Sequence, residues 1–420
     1  MGGNSKLKTK NSKLDGVGGS SIQHRVSSIG RVGGGVLLPS PPMSELRPLW
    51  IDTPEGVREA ADRCADASRI ALDTEADSMH SYFHKVCLIQ ISANGHHMVI
   101  DPLAVEPGDL QPLWDVVSDS AVPLLMHGAD YDIRILDRDY GIRVAGLQDT
   151  QIMAQLLGEE KTGLAALLEK ELGVLLDKKY QRADWGRRPL HAAQLSYAAA
   201  DTAHLGDLVD RLKARLETLG RWDWAAQDFR KLEGVRHSTA DPDPLVFERI
   251  KGGRSLRGAA RDRLFSLHQW RDQQARSRDI PPFKVLGNKP LLAMAEKPPS
   301  NLEELGEVEG VGPRAVRRLG RDLLRLINRP RRAPERVRSP RPPTPDASER
   351  KRLKRMLAVR DVKAGELGIQ AGLLCSRGAA EVVSSREPLC ATVQDLADAG
   401  FEGWRLEVLG EDFLKAIAED

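Results

Sequence analysis

Cysteine is scarce in this 420-residue chain: Cys64, Cys87, Cys375 and Cys390 are scattered, with no C-x-x-C pair. Four such residues are too few for a disulfide framework or a cysteine-built zinc site, and they read as reduced thiols of a cytoplasmic protein. Long apolar runs are missing too. None approaches the roughly 20 residues that a membrane-spanning helix needs, which excludes a transmembrane enzyme. The opening Met1-Gly2-Gly3-Asn4-Ser5-Lys6 has no apolar h-region and carries Lys6 where a myristoylation signal takes Ser or Thr. Neither secretion nor lipid anchoring is expected. An overall excess of one charge is also absent, the net charge being +2.

That near-neutrality conceals several changes of sign. Residues 1–45 carry 6 basic and 2 acidic side chains, residues 46–244 carry 22 and 33, and residues 245–328 carry 17 and 10. Residues 329–355 are the most basic stretch, 11 against 3, and residues 356–420 are acidic, 6 against 12. A string of modules follows from these counts. Residues 1–45, rich in Gly, Ser and Lys without apolar periodicity, are expected to be a disordered tail. In 46–244, short β-type runs (Ile70 to Leu72, Val86 to Ile91, His97 to Ile100, Pro123 to Met126) alternate with helical patterns such as Leu110 to Val117 and Tyr131 to Tyr140. The layout is α/β. Residues 245–328 read as mostly helical, 329–348 as a basic, proline-rich linker, and 349–420 as a second helical module.

Three elements of the α/β module carry carboxylates. The strand-like Ile70-Ala71-Leu72 runs into Asp73-Thr74-Glu75, and alternation along a strand puts Asp73 and Glu75 on one face. Two carboxylates so placed repel unless a cation lies between them, although a solvated strand end is the commoner meaning of such a pair. Next, Met126-His127-Gly128-Ala129 turns into a helix whose first turn holds Asp130 and Asp132, where helix capping is the competing role. The alanine-rich Leu195 to Asp201 favours helix and places Tyr197 and Asp201 at i and i+4 on one face.

In this order, Asp-x-Glu, Asp and Tyr-x-x-x-Asp resemble the tyrosine-containing branch of the DEDD exonucleases, most closely the ribonuclease D family. The likeness extends over about residues 46–240 through Ser81-Tyr82-Phe83, Leu88-Ile89-Gln90-Ile91, His127-Gly128-Ala129, Asp149-Thr150 and Gln181 to Trp185. It implies a ribonuclease H-like domain with a mixed sheet. It further implies that Asp73, Glu75, Asp132 and Asp201 hold two divalent cations, Mg²⁺ or Mn²⁺, and that Tyr197 positions the attacking water. Phosphodiester hydrolysis calls for these residue types on its own account. It needs an activated water, a stabilised leaving oxygen and neutralised phosphoryl oxygens, and hard oxygen ligands suit Mg²⁺ or Mn²⁺. An acidic domain also needs cations to meet a polyanion. Asp132 is preferred to Asp130 because it matches the family motif, and His127 is expected to support the turn. Trp185, Arg187 and Arg188 are candidates for substrate contact, with loop packing as the alternative. The family commonly has Phe after Asp-x-Glu. Ala76 stands there instead, a departure that bears on packing around the terminal nucleotide.

The first helical module, with Leu264 to Asp272, Ile280 to Phe283, Leu302 to Leu305 and Val308-Glu309-Gly310-Val311-Gly312-Pro313-Arg314, resembles an HRDC domain. Gly310 and Gly312 permit close backbone approach, Pro313 suits the first helical position, and free amides at a helix start suit a phosphate. Arg314, Arg317, Arg318 and Arg321 form one basic helix face, expected to bind nucleic acid or else to be merely solvated. The last module resembles a second, diverged HRDC copy without that stripe, expected to pack or to bind a partner protein. The whole is read as a 3′→5′ exoribonuclease releasing nucleoside 5′-monophosphates from structured RNA, tRNA precursors being the family's substrate. A DNA 3′→5′ exonuclease uses the same carboxylates. A non-catalytic RNA-binding adaptor is the rival of another class, but its expected mark, a lost carboxylate, is absent.

Overall fold

The computed structural model describes residues 46–239, 243–336 and 345–419. The expected disordered tail, 1–45, lies outside the described residues. Six strands form one mixed sheet: β1 (Leu49–Ile51), β2 (Ile70–Ala76), β3 (Val86–Ala93), β4 (His96–Ile100), β5 (Leu124–Met126) and β6 (Leu147–Asp149). Their order across the sheet is β1-β4-β3-β2-β5-β6. β3 is antiparallel to both β2 and β4, whereas β1–β4, β2–β5 and β5–β6 pair in parallel.

Local chemistry accounts for the centre of this sheet. β3 is buried along nearly its whole length, Gln90 included, so it is mostly apolar and lacks the alternation of a half-exposed strand. It returns as β4 through Asn94 and Gly95, at φ 48° and 78°, the left-handed pair that a tight hairpin requires. On the other flank, β2 keeps register with β3 as far as Glu75 opposite Leu88. Then the register slips, Ala76 facing Val86. Such a bulge bends the strand away from the ladder, here directly after the second carboxylate. Helix Ala192–Ala203 lies across β2, β3 and β4.

The two helical modules repeat one plan. Helices Gly258–Ser277, Pro282–Val285, Asn288–Glu296, Leu302–Glu307 and Pro313–Asn328 have 20, 4, 9, 6 and 16 residues. Helices Ala347–Leu367, Ala371–Leu374, Arg377–Ser384, Val393–Asp398 and Trp404–Ala418 have 21, 4, 8, 6 and 15. Gly310 and Gly400 take the same left-handed turn, φ 86° and 87°, shortly before the last helix of each module.

The modules are used differently. The first has its own core around Leu264, Leu291 and Leu323. The second shares the core of the α/β domain: Trp404 stacks on Trp224 with ring centroids 4.5 Å apart, and Arg405 makes a forked pair with Asp228 at 2.6 and 3.0 Å. The expectation that it packs is met within the chain itself.

One expectation needs correction. The first part of the basic stretch read as a linker, residues 329–336, is folded against the first helical module. Ala333 is buried, with its N–H on Asp262 at 2.9 Å, and Arg331 N–H reaches Ser266 Oγ at 2.7 Å. Arg336 and Arg261 both pair with Glu248. Positive charge there meets a buried carboxylate, which composition alone does not reveal. Residues 337–344 lie outside the described residues, and the next helix starts at Ala347 behind an Asp346–Glu349 capping box.

Candidate active site

Asp73, Glu75, Tyr197 and Asp201 line one open pocket of about 470 Å³, together with His127, Leu164, Gln181, Arg182 and Leu205. Two elements bring the first four together. β2 brings Asp73 and Glu75 on one face, and helix Ala192–Ala203 brings Tyr197 and Asp201 one turn apart. Asp132, on helix Asp130–Tyr140, does not line the pocket: it is only 8% exposed, accepts a hydrogen bond from the Thr74 hydroxyl and is near enough for its charge to act on Asp73 and Glu75.

The four carboxylates sense one another. Asp73 is pushed well above the usual carboxylate range, first by burial and then by the charges of Asp132, Asp201 and Glu75. Burial, with Asp201 and Asp132 beside it, lifts Glu75 to about 9. Burial also raises Asp201 to about 7 and Asp132 to about 6, the latter against the Thr74 hydroxyl, which favours the charged form. Desolvated carboxylates that repel one another are a donor set for hard cations. Among the described residues no three His, Cys, Asp or Glu side chains close on a common point at ligand distance. The fit to divalent ions is one of donor type and charge.

Tyr197, 9% exposed, is held by rings on two sides: Trp185 stacks at 6.1 Å and Tyr180 meets it edge-on at 5.7 Å. Burial, and then Asp201, Glu75 and Asp73, raise its phenol further above its already alkaline range. The phenol therefore keeps its proton at neutral pH and remains a donor.

A residue quoted in the sequence only as part of a motif proves to hold the turn before Asp132. The Asp149 carboxylate accepts the N–H groups of Gly128 (3.0 Å), Ala129 (2.8 Å), Gln151 (2.7 Å) and Ile152 (3.2 Å). It thus ties the turn leading into helix Asp130–Tyr140 to the start of helix Thr150–Leu156. His127 Nδ1 lies 2.8 Å from the Thr150 hydroxyl, in keeping with a supporting role in the turn. Asp130 points elsewhere, forked with Arg134 at 2.9 and 3.0 Å.

The substrate-contact candidates divide. Trp185 is buried against Tyr197, and Arg188 is occupied by Asp101, at 2.6 Å to each oxygen, and by the carbonyls of Trp185 and Cys87. Neither is free for substrate, because loop packing consumes both. Arg187 is exposed but does not line the pocket. Arg182 and Gln181, from the same loop, do line it. No spacing rule distinguished them beforehand. In the first helical module, Arg314, Arg317, Arg318 and Arg321 are all exposed, and Gly312 caps their helix in front of Pro313.

Both regions of the chain resemble known proteins. Residues 48–217 match the family model of a 3′-5′ exonuclease, and residues 260–327 match that of the HRDC domain. A ribonuclease D of Acidiphilium cryptum is 31% identical over 90% of this chain and 94% of its own length. The chain belongs to the ribonuclease D family. A second ribonuclease D, from Xanthomonas oryzae pv. oryzae, is 33% identical over 79% of this chain and 90% of its own. Escherichia coli RNase D, described as an exoribonuclease involved in structured RNA processing, superposes with a TM-score of 0.62 at 25% identity, covering 89% of this chain and 99% of that one. The catalytic core of RRP6 from Trypanosoma brucei gives 0.60 at 28% identity, over 70% and 83%. Ribonuclease D membership accounts for the mixed sheet and for the helical module behind it.

Proposed function

We infer that this chain is a metal-dependent 3′→5′ exoribonuclease that releases nucleoside 5′-monophosphates from the 3′ ends of structured RNA, tRNA precursors among them. The observation that carries the reading is the meeting of Asp73, Glu75, Asp201 and Tyr197 around one pocket, with Asp132 in electrostatic reach. Asp73, Glu75, Asp132 and Asp201 would hold two divalent cations, Mg²⁺ or Mn²⁺. When bound, such a pair supplies an activated water, a stabilised leaving 3′-oxygen and neutralised phosphoryl oxygens.

The protein's own groups do the rest. Tyr197 keeps a water in place through a hydroxyl that neither ionises nor competes as a ligand. Arg182 at the rim offers a cation to a phosphate, while Leu164 and Leu205 give the sugar and base an apolar wall. Gly310, Gly312 and the Arg314, Arg317, Arg318 and Arg321 face hold RNA further from the scissile bond. The four cysteines are all unpaired and buried, in keeping with a reducing, cytoplasmic setting. Among the described residues no helix is long and apolar enough to cross a membrane. If a protein partner joins the last module, its exposed Val362 and Val382 are apolar points left for contact.

The test uses 5′-labelled RNA and DNA of one sequence, incubated with the protein and Mg²⁺ and resolved by length. A ladder shortening from the RNA 3′ end is expected. Shortening of DNA alone would replace the reading with a DNA exonuclease, and loss of neither strand would leave an RNA-binding adaptor.

A further inference from the structure

The loop 77–85, between β2 and β3, joins the catalytic pocket to the first helical module. Asp77 closes its base by accepting the Lys85 N–H (2.8 Å) and Nζ (2.9 Å). On one side His80 Nε2 meets the Arg182 carbonyl at 3.2 Å, and Arg182 lines the pocket with Asp73, Glu75, Tyr197 and Asp201. On the other side the helical module clamps it. Asp279 accepts the N–H groups of both Tyr82 and Phe83 at 2.9 Å, and the Tyr82 hydroxyl donates to Asp272 at 2.8 Å. Asp279 is a non-glycine residue at φ 45°, a conformation that costs energy unless its surroundings hold it. The two N–H bonds do so.

The clamp leaves apolar rings open to solvent. Phe83 is 57% exposed and Phe283, from the helical module, is 52% exposed, in a chain with only seven phenylalanines. Cations stand nearby. The Arg276 guanidinium stands 5.8 Å from the Phe83 ring centre, and Lys284, which follows Phe283 in sequence, turns its Nζ to within 3.3 Å of His80 Nδ1 in the loop. Beside Tyr82 opens a groove of about 690 Å³ lined in part by Arg276, Arg325 and Arg331. Arg325 follows Arg314, Arg318 and Arg321 along their helix at i+4 from the last, so the basic face ends in this groove.

Open rings interleaved with cations are what single-stranded nucleic acid binds: bases stack and phosphates are neutralised. A duplex hides its bases and gains nothing from exposed rings. Resting on the exoribonuclease reading, we propose that this seam is the track of the single-stranded RNA upstream of the scissile bond. Phe83 and Phe283 stack bases there, and Arg276, Arg325 and Arg331 contact phosphates.

The test is binding of a fluorescent single-stranded RNA of about twelve nucleotides to the full chain in EDTA, so that no hydrolysis intervenes. Phe83→Ala and Phe283→Ala should each weaken binding about fivefold or more. Replacing Arg276, Arg325 and Arg331 by Gln should lower the slope of log affinity against log salt by about 2, at roughly 0.7 per contact. RNA carrying 4-thiouridine at successive positions should photo-crosslink to peptides containing Phe83 or Phe283 in the wild-type chain, which decides the matter if a substitution fails to fold. Unchanged affinity and slope, or crosslinks confined elsewhere, would overturn the track. Hydrolysis by the wild-type chain in Mg²⁺ is scored separately: seam crosslinks without hydrolysis keep the track and sink the exoribonuclease reading.

Discussion

The tasks proposed for the carboxylates and Tyr197 can be separated by single substitutions. Asp132→Asn or Asp201→Asn keeps the size of the side chain and removes a charged ligand, so hydrolysis should be abolished while the thermal melt stays cooperative. Near-normal turnover of either variant at saturating Mg²⁺ would sink the two-metal assignment. Tyr197→Phe leaves both rings around it and all four carboxylates in place. It should lose activity while retaining the wild-type affinity for Mn²⁺ in a titration; a wild-type rate would make Tyr197 a packing residue. These side chains were legible in the sequence because strand alternation and helical spacing fix which of them share a face. Thr74 was not, since its bond to Asp132 joins residues that only the fold brings together. For Arg188 the loop-packing alternative holds, and its partner was hidden for the same reason. In the sequence Arg188 is one of two adjacent arginines shortly after Trp185, and nothing there points to Asp101, 87 positions away, which holds it.

At the scale of elements, the long members announce themselves and the short ones do not. β3 and helix Asp130–Tyr140 carry enough residues for a pattern. β1 and β6 have three residues each and exist only because neighbours supply the hydrogen bonds. The turn before helix Asp130–Tyr140 was visible as a glycine, but its anchor was not. Asp149→Ala would strip four backbone N–H groups of their acceptor. A loss of about 1–3 kcal/mol or more is expected in urea unfolding, with hydrolysis falling as Asp132 loses its fixed approach. Residues 329–336 give a second test. Burial alone would raise Glu248, but the hydrogen bonds from Arg336 and Arg261 outweigh it and hold the carboxyl below the ordinary glutamate value. Its contribution to stability is therefore full above about pH 4.3, the ordinary value, and lost as pH falls through the lower folded value. Glu248→Gln should be less stable than wild type at neutral pH, and the gap should narrow in acid. A gap independent of pH would mean that the arginines act there by packing alone.

At the scale of the whole molecule, two copies of one helical plan are packed differently. The second copy spends the start of its last helix on the α/β domain, with Trp404 on Trp224 and Arg405 on Asp228. The first copy leaves the corresponding helix open, and there the arginines stand exposed. Composition anticipated this split through the sign of the charge, but not the docking, because Trp404 has no sequence neighbour that names Trp224 as its partner. Removing everything after residue 243 would uncover the face that Trp404 covers. RNA capture is therefore tested in the full chain, with Arg314, Arg317, Arg318 and Arg321 changed to Gln. All four are exposed, so the fold should tolerate the change, and near-wild-type melting is the control. Each phosphate contact on a single strand contributes about 0.7 to the slope of log affinity against log salt, so four contacts give a fall of up to about 3. A smaller fall counts how many of the four reach the strand. An unchanged slope would reduce the face to a solvated helix surface, and RNA capture would then fall to the other cations of the chain.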